Sequence, residues 1–304
     1  MRETDLVEAR RIFRTAFGTF IGVPEPENLW PDREYIATRY RMDPNAALTA
    51  EIDGAVAGSA FAARWGSFAV FGPLTVRPDL WDRGVGTQLL DRTMDLFSRW
   101  AIRGAGLFTF PNSPKHIGLY QKYGFWPTFL TALISKSVEP GKPPAVKLSS
   151  LDEARQRDAI EACRSLTGSI YEGLDLTLEI RGVASQNLGD TLLVWDGDAL
   201  DALAICHCGE GTEAGKDSCY VKFAAVQPGP RAERAFDRLL DGLDALASER
   251  GLQRINGGMN FGRAKAYRHI VERGFRAQML GVVMQRPDAP AYNRPDVFVI
   301  DDWR

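Results

Sequence analysis

Laying VRPDLWDRGVGTQLLDR (Val76 to Arg92) over VQPGPRAERAFDRLLDG (Val226 to Gly242) at an offset of 150 residues brings Val76 onto Val226, Pro78 onto Pro228 and Leu89-Leu90-Asp91 onto Leu239-Leu240-Asp241. At the same offset YGF, Tyr123 to Phe125, meets RGF, Arg273 to Phe275. Agreement at both ends of a span of about fifty residues constrains the fold more than any local pattern, because a repeated sequence repeats its supersecondary unit. The 304 residues therefore read as two copies of one domain, 1–140 and 141–304. The copies join near VEPGKPPAVK, Val138 to Lys147, whose Pro and Gly content suits a linker.

The element pattern repeats as well. Leu6 to Phe20 has helical spacing. Ala47 to Trp65 reads as two strands about a turn at Asp53-Gly54, and Phe68 to Val76 as a third. A helix is expected from about Thr87, with Leu90, Met94, Phe97 and Ala101 on one face, then the strand GLFTF. A short helix follows from Pro114, with Ser113 as N-cap and Gly124 as left-handed C-cap, and TFLTALISKSV closes the unit as a strand. The second half offers a helix from Leu151, strands near Leu192 and Ala202, a strand Cys219 to Val226, a helix carrying Phe236, Leu239, Leu240, Leu243 and Leu246, and a second helix ending at Gly274. Strands alternating with helices make each half a mixed α/β sheet domain. PAVKLSS gives the second half a first strand that the first half lacks, and the tail DVFVIDDW, Asp296 to Trp303, is a spare strand available for that edge.

A net charge of −2 with both signs interspersed speaks against a nucleic-acid or membrane-surface partner. No apolar run is long enough to span a bilayer, and MRETDLVEARRIFR has no signal-peptide block, so a cytoplasmic protein is expected. The four cysteines do not form a disulfide framework. The CHC of Cys206 to Cys208 lies in a strand pattern that puts the two thiols on one face and His207 on the other. With only Cys219 nearby it lacks zinc spacing, and no metal is expected.

WDRGVGTQLLDR puts Gly-x-Gly at a helix mouth. Unpaired N–H groups and the positive dipole end attract anions there, and residues without Cβ let a diphosphate approach the backbone. Gly84, Gly86 and the N–H groups up to Thr87 are a candidate phosphate nest. A plain strand-to-helix turn also explains a lone Gly-x-Gly.

The wider context resembles the GNAT superfamily of N-acetyltransferases. VRPDLWDRGVG, Val76 to Gly86, is similar to its cofactor signature of strand, Pro and Q/R-x-x-G-x-G/A. SPKHIGLYQKYGF, Ser113 to Phe125, is similar to its second motif, a short helix ending in L-Y-x-x-x-G-F. The resemblance implies two tandem GNAT-like domains, each a mostly antiparallel central sheet flanked by helices, with good motifs only in the first. It implies acetyl-CoA as co-substrate, with backbone groups of Leu74 and Val76 on the pantetheine arm, Arg83, Gly84, Val85, Gly86 and Thr87 on the pyrophosphate, and Tyr120 as general acid to the thiolate.

The chain departs from the family's pattern at several positions. The Q/R place is Trp81, leaving Arg83 to supply charge. The asparagine usual seven residues before the Tyr is Ser113, with Asn112 one residue earlier as a candidate. FAVFGPLTV has no carboxylate to act as base; His116, Glu51 and Asp53 are the substitutes in view, or water. At the 150-residue offset Gly84 becomes Arg234, Gly86 becomes Phe236 and Tyr120 becomes Ile270. The second half is therefore expected to have lost acetyl-CoA binding, Phe236 obstructing its loop, and to shape the acceptor pocket. The expected activity is direct N-acetyl transfer to a small-molecule amine, with a peptide or protein acceptor, or a non-catalytic CoA-binding or sensing module, as alternatives.

Overall fold

A computed structural model describes residues 1–304. The first half runs α1 (Leu6–Ile21), α2 (Ile36–Met42), β1 (Ala47–Ile52), β2 (Ala55–Trp65), β3 (Phe68–Val76), α3 (Val85–Trp100), β4 (Gly104–Thr109), α4 (Pro114–Gln121) and β5 (Trp126–Ser137). The second runs β6 (Val146–Lys147), α5 (Glu153–Ile170), α6 (Thr177–Ser185), β7 (Gly189–Asp196), β8 (Ala199–Gly209), β9 (Gly215–Val226), α7 (Ala232–Glu249), β10 (Arg254–Asn260), α8 (Ala264–Glu272), β11 (Arg276–Arg286) and β12 (Val299–Ile300). From α1 to β5 and from α5 to β11 the element order is the same. The short helices α2 and α6 were not expected from the sequence pattern.

Local chemistry sets the boundaries. Asp53 (φ 51°) and Gly54 (φ 77°) make the two-residue turn of the β1–β2 hairpin. Gly22, at φ 75°, caps α1 in the left-handed region. Ser113 accepts the His116 N–H at 3.4 Å at the start of α4, with Pro114 at its first position.

One continuous sheet crosses both halves, in the order β1-β2-β3-β4-β11-β5-β10-β9-β8-β7-β6. The last strands of the two halves are exchanged: β11 lies between β4 and β5, and β5 lies between β11 and β10. Arg286 of β11 donates to the Tyr123 carbonyl at 2.9 Å, so the second half's strand also fixes the end of α4. Alternation along β9 shows the layering. Phe223 and Ala225 pack with α5 residues such as Leu166, whereas Ala224 and Val226 pack with α7 residues such as Leu239.

The tail does not fill the first half's edge, as the sequence allowed. β1 ends the sheet there, while β12 pairs antiparallel with β9 through Val299↔Ala225 and Ile300↔Ala224. Burial decides this placement. Trp303 is 1% exposed, its ring against Phe68 at 5.0 Å and above Gly106, where a Cβ would come within 2.2 Å of it. Its indole donates to Tyr292 Oη at 2.6 Å, Tyr292 donates to Asp301 at 2.6 Å, and Asp301 pairs with the buried Arg263 at 2.5 Å.

Candidate active site

The site begins where two strands part. β3 and β4 pair in parallel only at Phe68↔Gly104, Ala69↔Ala105 and Val70↔Gly106. Beyond Val70, β3 stays with β2 alone, with a register shift opposite Gly72-Pro73, where proline offers no N–H to a ladder. Arg77 N–H donates to Ala57 O at 2.9 Å, so alternation turns Thr75 toward β2 and the peptide groups of Leu74 and Val76 into the gap. A cavity of about 830 Å³ fills this gap, lined among others by Leu74, Val76, Gly84, Val85, Gly86, Thr87 and Tyr120.

Trp81, at the position where a Gln or Arg was expected, has its own task. Its indole N–H donates to the Val76 carbonyl at 2.8 Å. The Val76 N–H and both groups of Leu74 remain to face the cavity.

At the mouth of α3, Gly84 is the N-cap at φ 82°, a left-handed conformation that L side chains rarely adopt. The N–H groups of Gly84, Val85, Gly86 and Thr87 have no acceptor within the protein. Gly86 is helical, and a Cβ on it would come no nearer than 3.8 Å to Leu74 and 3.9 Å to Val76. The packing therefore does not require this glycine, which costs a helix about 0.5–1 kcal/mol relative to Ala. Its bare face belongs to the cavity. Unpaired donors converging at a dipole end on open space suit a diphosphate.

Tyr120 is 8% exposed and lies against Phe71 at 5.7 Å. Burial pushes its phenol up to about 12, so it keeps its proton at neutral pH. His116, one turn earlier on α4, also lines the cavity. Burial, then the charge of Lys115, lowers its pKa, and its Nδ1 is buried without a partner.

Several expected residues lie elsewhere. Arg83 is exposed and does not line the cavity; Lys115 carries positive charge to the loop instead, 2.6 Å from Asp82 and 6.0 Å from the Trp81 ring centroid. Asn112 is also exposed outside the cavity, and Ser113 is engaged as the cap of α4. Glu51 pairs with Arg2, and Asp53 sits in the hairpin turn; neither reaches the cavity.

The opposite wall was not anticipated. Phe13, Phe17 and Phe20 of α1, Trp30 and Tyr35 of the segment before α2, and Arg39 of α2 line it, joined by Met279 and Arg304 from the second half. The spacing 13, 17, 20 is a helical face that reads from sequence as core. Arg39 donates to the Gly72 carbonyl in β3 and pairs with Glu213 of the second half at 2.6 Å. Lys222 reaches the same carboxylate at 3.0 Å. Burial alone would raise Glu213, but Arg39 and Lys222 outweigh it and hold the carboxyl well below its ordinary range.

The corresponding place in the second half is filled. α7 begins at Ala232, nearly a turn earlier than the repeat offset requires. Phe236 accordingly does not block a loop, as the sequence suggested; it lies in the core at 0% exposure, 5.2 Å from Phe298. Ile270, which replaces Tyr120, is equally buried. Beyond the stretch where β9 pairs with β10, β12 pairs with β9 instead, and the Val226 N–H, counterpart of Val76, donates to Phe298 O at 3.0 Å.

Residues 8–125 match the acetyltransferase (GNAT) family. The first half is a GNAT acetyltransferase domain. No curated protein matches the chain. Among solved structures, a putative acetyltransferase from Pyrococcus horikoshii is 14% identical, with 99% of this chain and 92% of that chain covered and a TM-score of 0.69. A GCN5-related N-acetyltransferase from Sphaerobacter thermophilus is 14% identical over 94% of this chain and 93% of that chain, TM-score 0.58. The GCN5-related glucosamine N-acetyltransferase region of a fungal multi-domain GH3 β-N-acetylglucosaminidase is 12% identical over 94% of this chain and 37% of that chain, TM-score 0.64. At these identities the likeness is one of fold, and it runs through both GNAT-like halves. No helix is long and apolar enough to cross a membrane.

Proposed function

We propose that the chain is an acetyl-CoA-dependent N-acetyltransferase that transfers acetyl directly to an amine, with its chemistry in residues 1–140 and a second domain, 141–304, completing the acceptor wall. One observation carries the reading: a single cavity runs from the unpaired N–H groups of Gly84–Thr87, along the free edge of β3, to Tyr120. The helix mouth holds the pyrophosphate, and the Leu74 and Val76 peptide groups hold the pantetheine. The amine attacks the thioester carbonyl, the C–S bond breaks, and Tyr120 gives its proton to the departing thiolate. His116, neutral near pH 7, takes the proton that the attacking nitrogen loses. A protonated phenol and an unprotonated imidazole one helical turn apart are an acid and a base set by their surroundings. Acetyl-CoA-dependent thiol release over a panel of amines tests this. Release that rises with amine concentration is expected; acetyl-CoA binding with no amine-dependent release would leave a binding module.

A further inference from the structure

We infer that the acceptor is a small alkyl amine that bears an aromatic ring and carries no second positive charge; this rests on the acetyl-transfer reading above and names its substrate class. The wall facing the helix mouth is built of rings. Phe20 lies 4.7 Å from Phe110 and 4.9 Å from His116, while Phe13 lies 5.1 Å from Phe17 and 5.3 Å from Tyr35. Such a surface gains by covering another ring.

Charge narrows the class further. The cationic side chains lining the cavity are Arg39, Lys115, Lys122 and Arg304, and Asp82, the one acid, is held by Lys115 at 2.6 Å. A polyamine or aminoglycoside keeps ammonium groups beyond the one acetylated. Here the wall offers no free carboxylate to receive them, Glu213 being paired with Arg39, Asp302 with Arg304 and Asp82 with Lys115. The rings do not rescue them. Arg33 stands over Trp30 at 5.1 Å and Arg39 over Tyr35 at 5.5 Å, so two of the wall's faces already serve the chain's own cations. The Arg304 Nε–H, buried without a partner, suits a neutral or anionic substituent.

The test compares kcat/KM for CoA release with 2-phenylethylamine, spermidine, kanamycin and a lysine-containing peptide, with acetyl-CoA binding measured by calorimetry on the same preparation. The aromatic amine should lead by about 100-fold or more. In F20E, at a position 36% exposed and so tolerant of change, a carboxylate enters the ring wall. The ratio of spermidine to 2-phenylethylamine should then rise by about 10-fold or more. Spermidine, kanamycin or the peptide leading in the unaltered protein, an unmoved ratio in F20E, or bound acetyl-CoA with none of the four turned over would overturn the inference. Failure of acetyl-CoA to bind at all would instead sink the acetyl-transfer reading beneath it.

Discussion

The two helix mouths, at α3 and at α7, correspond at the 150-residue offset and differ in what fills them. At the first, β3 and β4 part, Gly84 caps the helix in the left-handed region, and four N–H groups face empty space. At the second, α7 starts nearly a turn early, Phe236 turns into the core, and β12 pairs with β9. The Val226 N–H is satisfied by Phe298 O, whereas its counterpart on Val76 points into the cavity. Strand parting is thus part of the shared fold, and what fills the gap distinguishes the halves: an open cavity in one, the chain's own tail in the other.

The comparison breaks most sharply if the first mouth is given the second's residue. G86F fills the bare face of the α3 turn, and acetyl-CoA affinity should fall by at least about 100-fold with the thermal transition nearly unchanged. G86A should leave stability equal or slightly improved, because a Cβ there meets nothing closer than 3.8 Å. Unaltered binding in G86F would remove the loop from the site.

Next in size is the acid. Y120F keeps the ring against Phe71 and removes the proton that burial holds on the phenol. With chemistry rate-limiting, kcat should fall by about 10²–10⁴-fold while acetyl-CoA affinity stays near normal. A more acidic thiol on the acyl donor should shrink the drop. An unchanged kcat would return Tyr120 to the role that Ile270 plays in the second half, a packed core side chain.

The filled mouth can be loosened. F298A removes the ring packed on Phe236 and should cost about 3–5 kcal/mol in denaturant unfolding. It should create no second acetyl-CoA site, since α7 still begins too early to offer a glycine loop. A new site in F298A would mean that the tail alone closes the second half.

Smallest is the pH dependence. His207 lies on the face of β8 opposite the Cys206 and Cys208 thiols, both ring nitrogens buried without partners, and burial lowers its pKa from 6.5 to about 4. A folded pKa below the unfolded one gives stability that is full above about 6.5 and lost as pH falls toward 4, about 3 kcal/mol in all at 1.4 per unit. His116, also lowered, adds to the same window. H207Q should flatten most of the decline in an unfolding series from pH 7 to 4; an unchanged slope would place its source elsewhere. Glu213, held low, adds its loss only below its ordinary range.

Much of this architecture is legible in the chain. The repeat at 150 residues and the alternation of strands and helices point to two like units, and Gly84, Gly86 and Tyr120 mark one side of the cavity. The exchange of β5 and β11 is not legible, because equivalent strands present the same alternating pattern to either neighbour, and only the joint sheet distinguishes them. The destination of the tail depends on a two-residue pairing and on Trp303 meeting Gly106, both long-range. Phe13, Phe17 and Phe20 read as a buried helical face, and nothing local separates a face toward core from a face toward a cavity. Asn112 and Arg83 lie outside the cavity for a simpler reason. Spacing fixes where a residue lies along the chain, while exposure decides whether it reaches the ligand.

Stoichiometry tests the central claim most directly. Calorimetric titration of the intact chain with acetyl-CoA should give one site per chain, absent in G86F and retained in F298A. Two equivalent sites, or a single site that survives G86F, would contradict the account that the open mouth at α3 binds the cofactor and the chain's own tail closes the other.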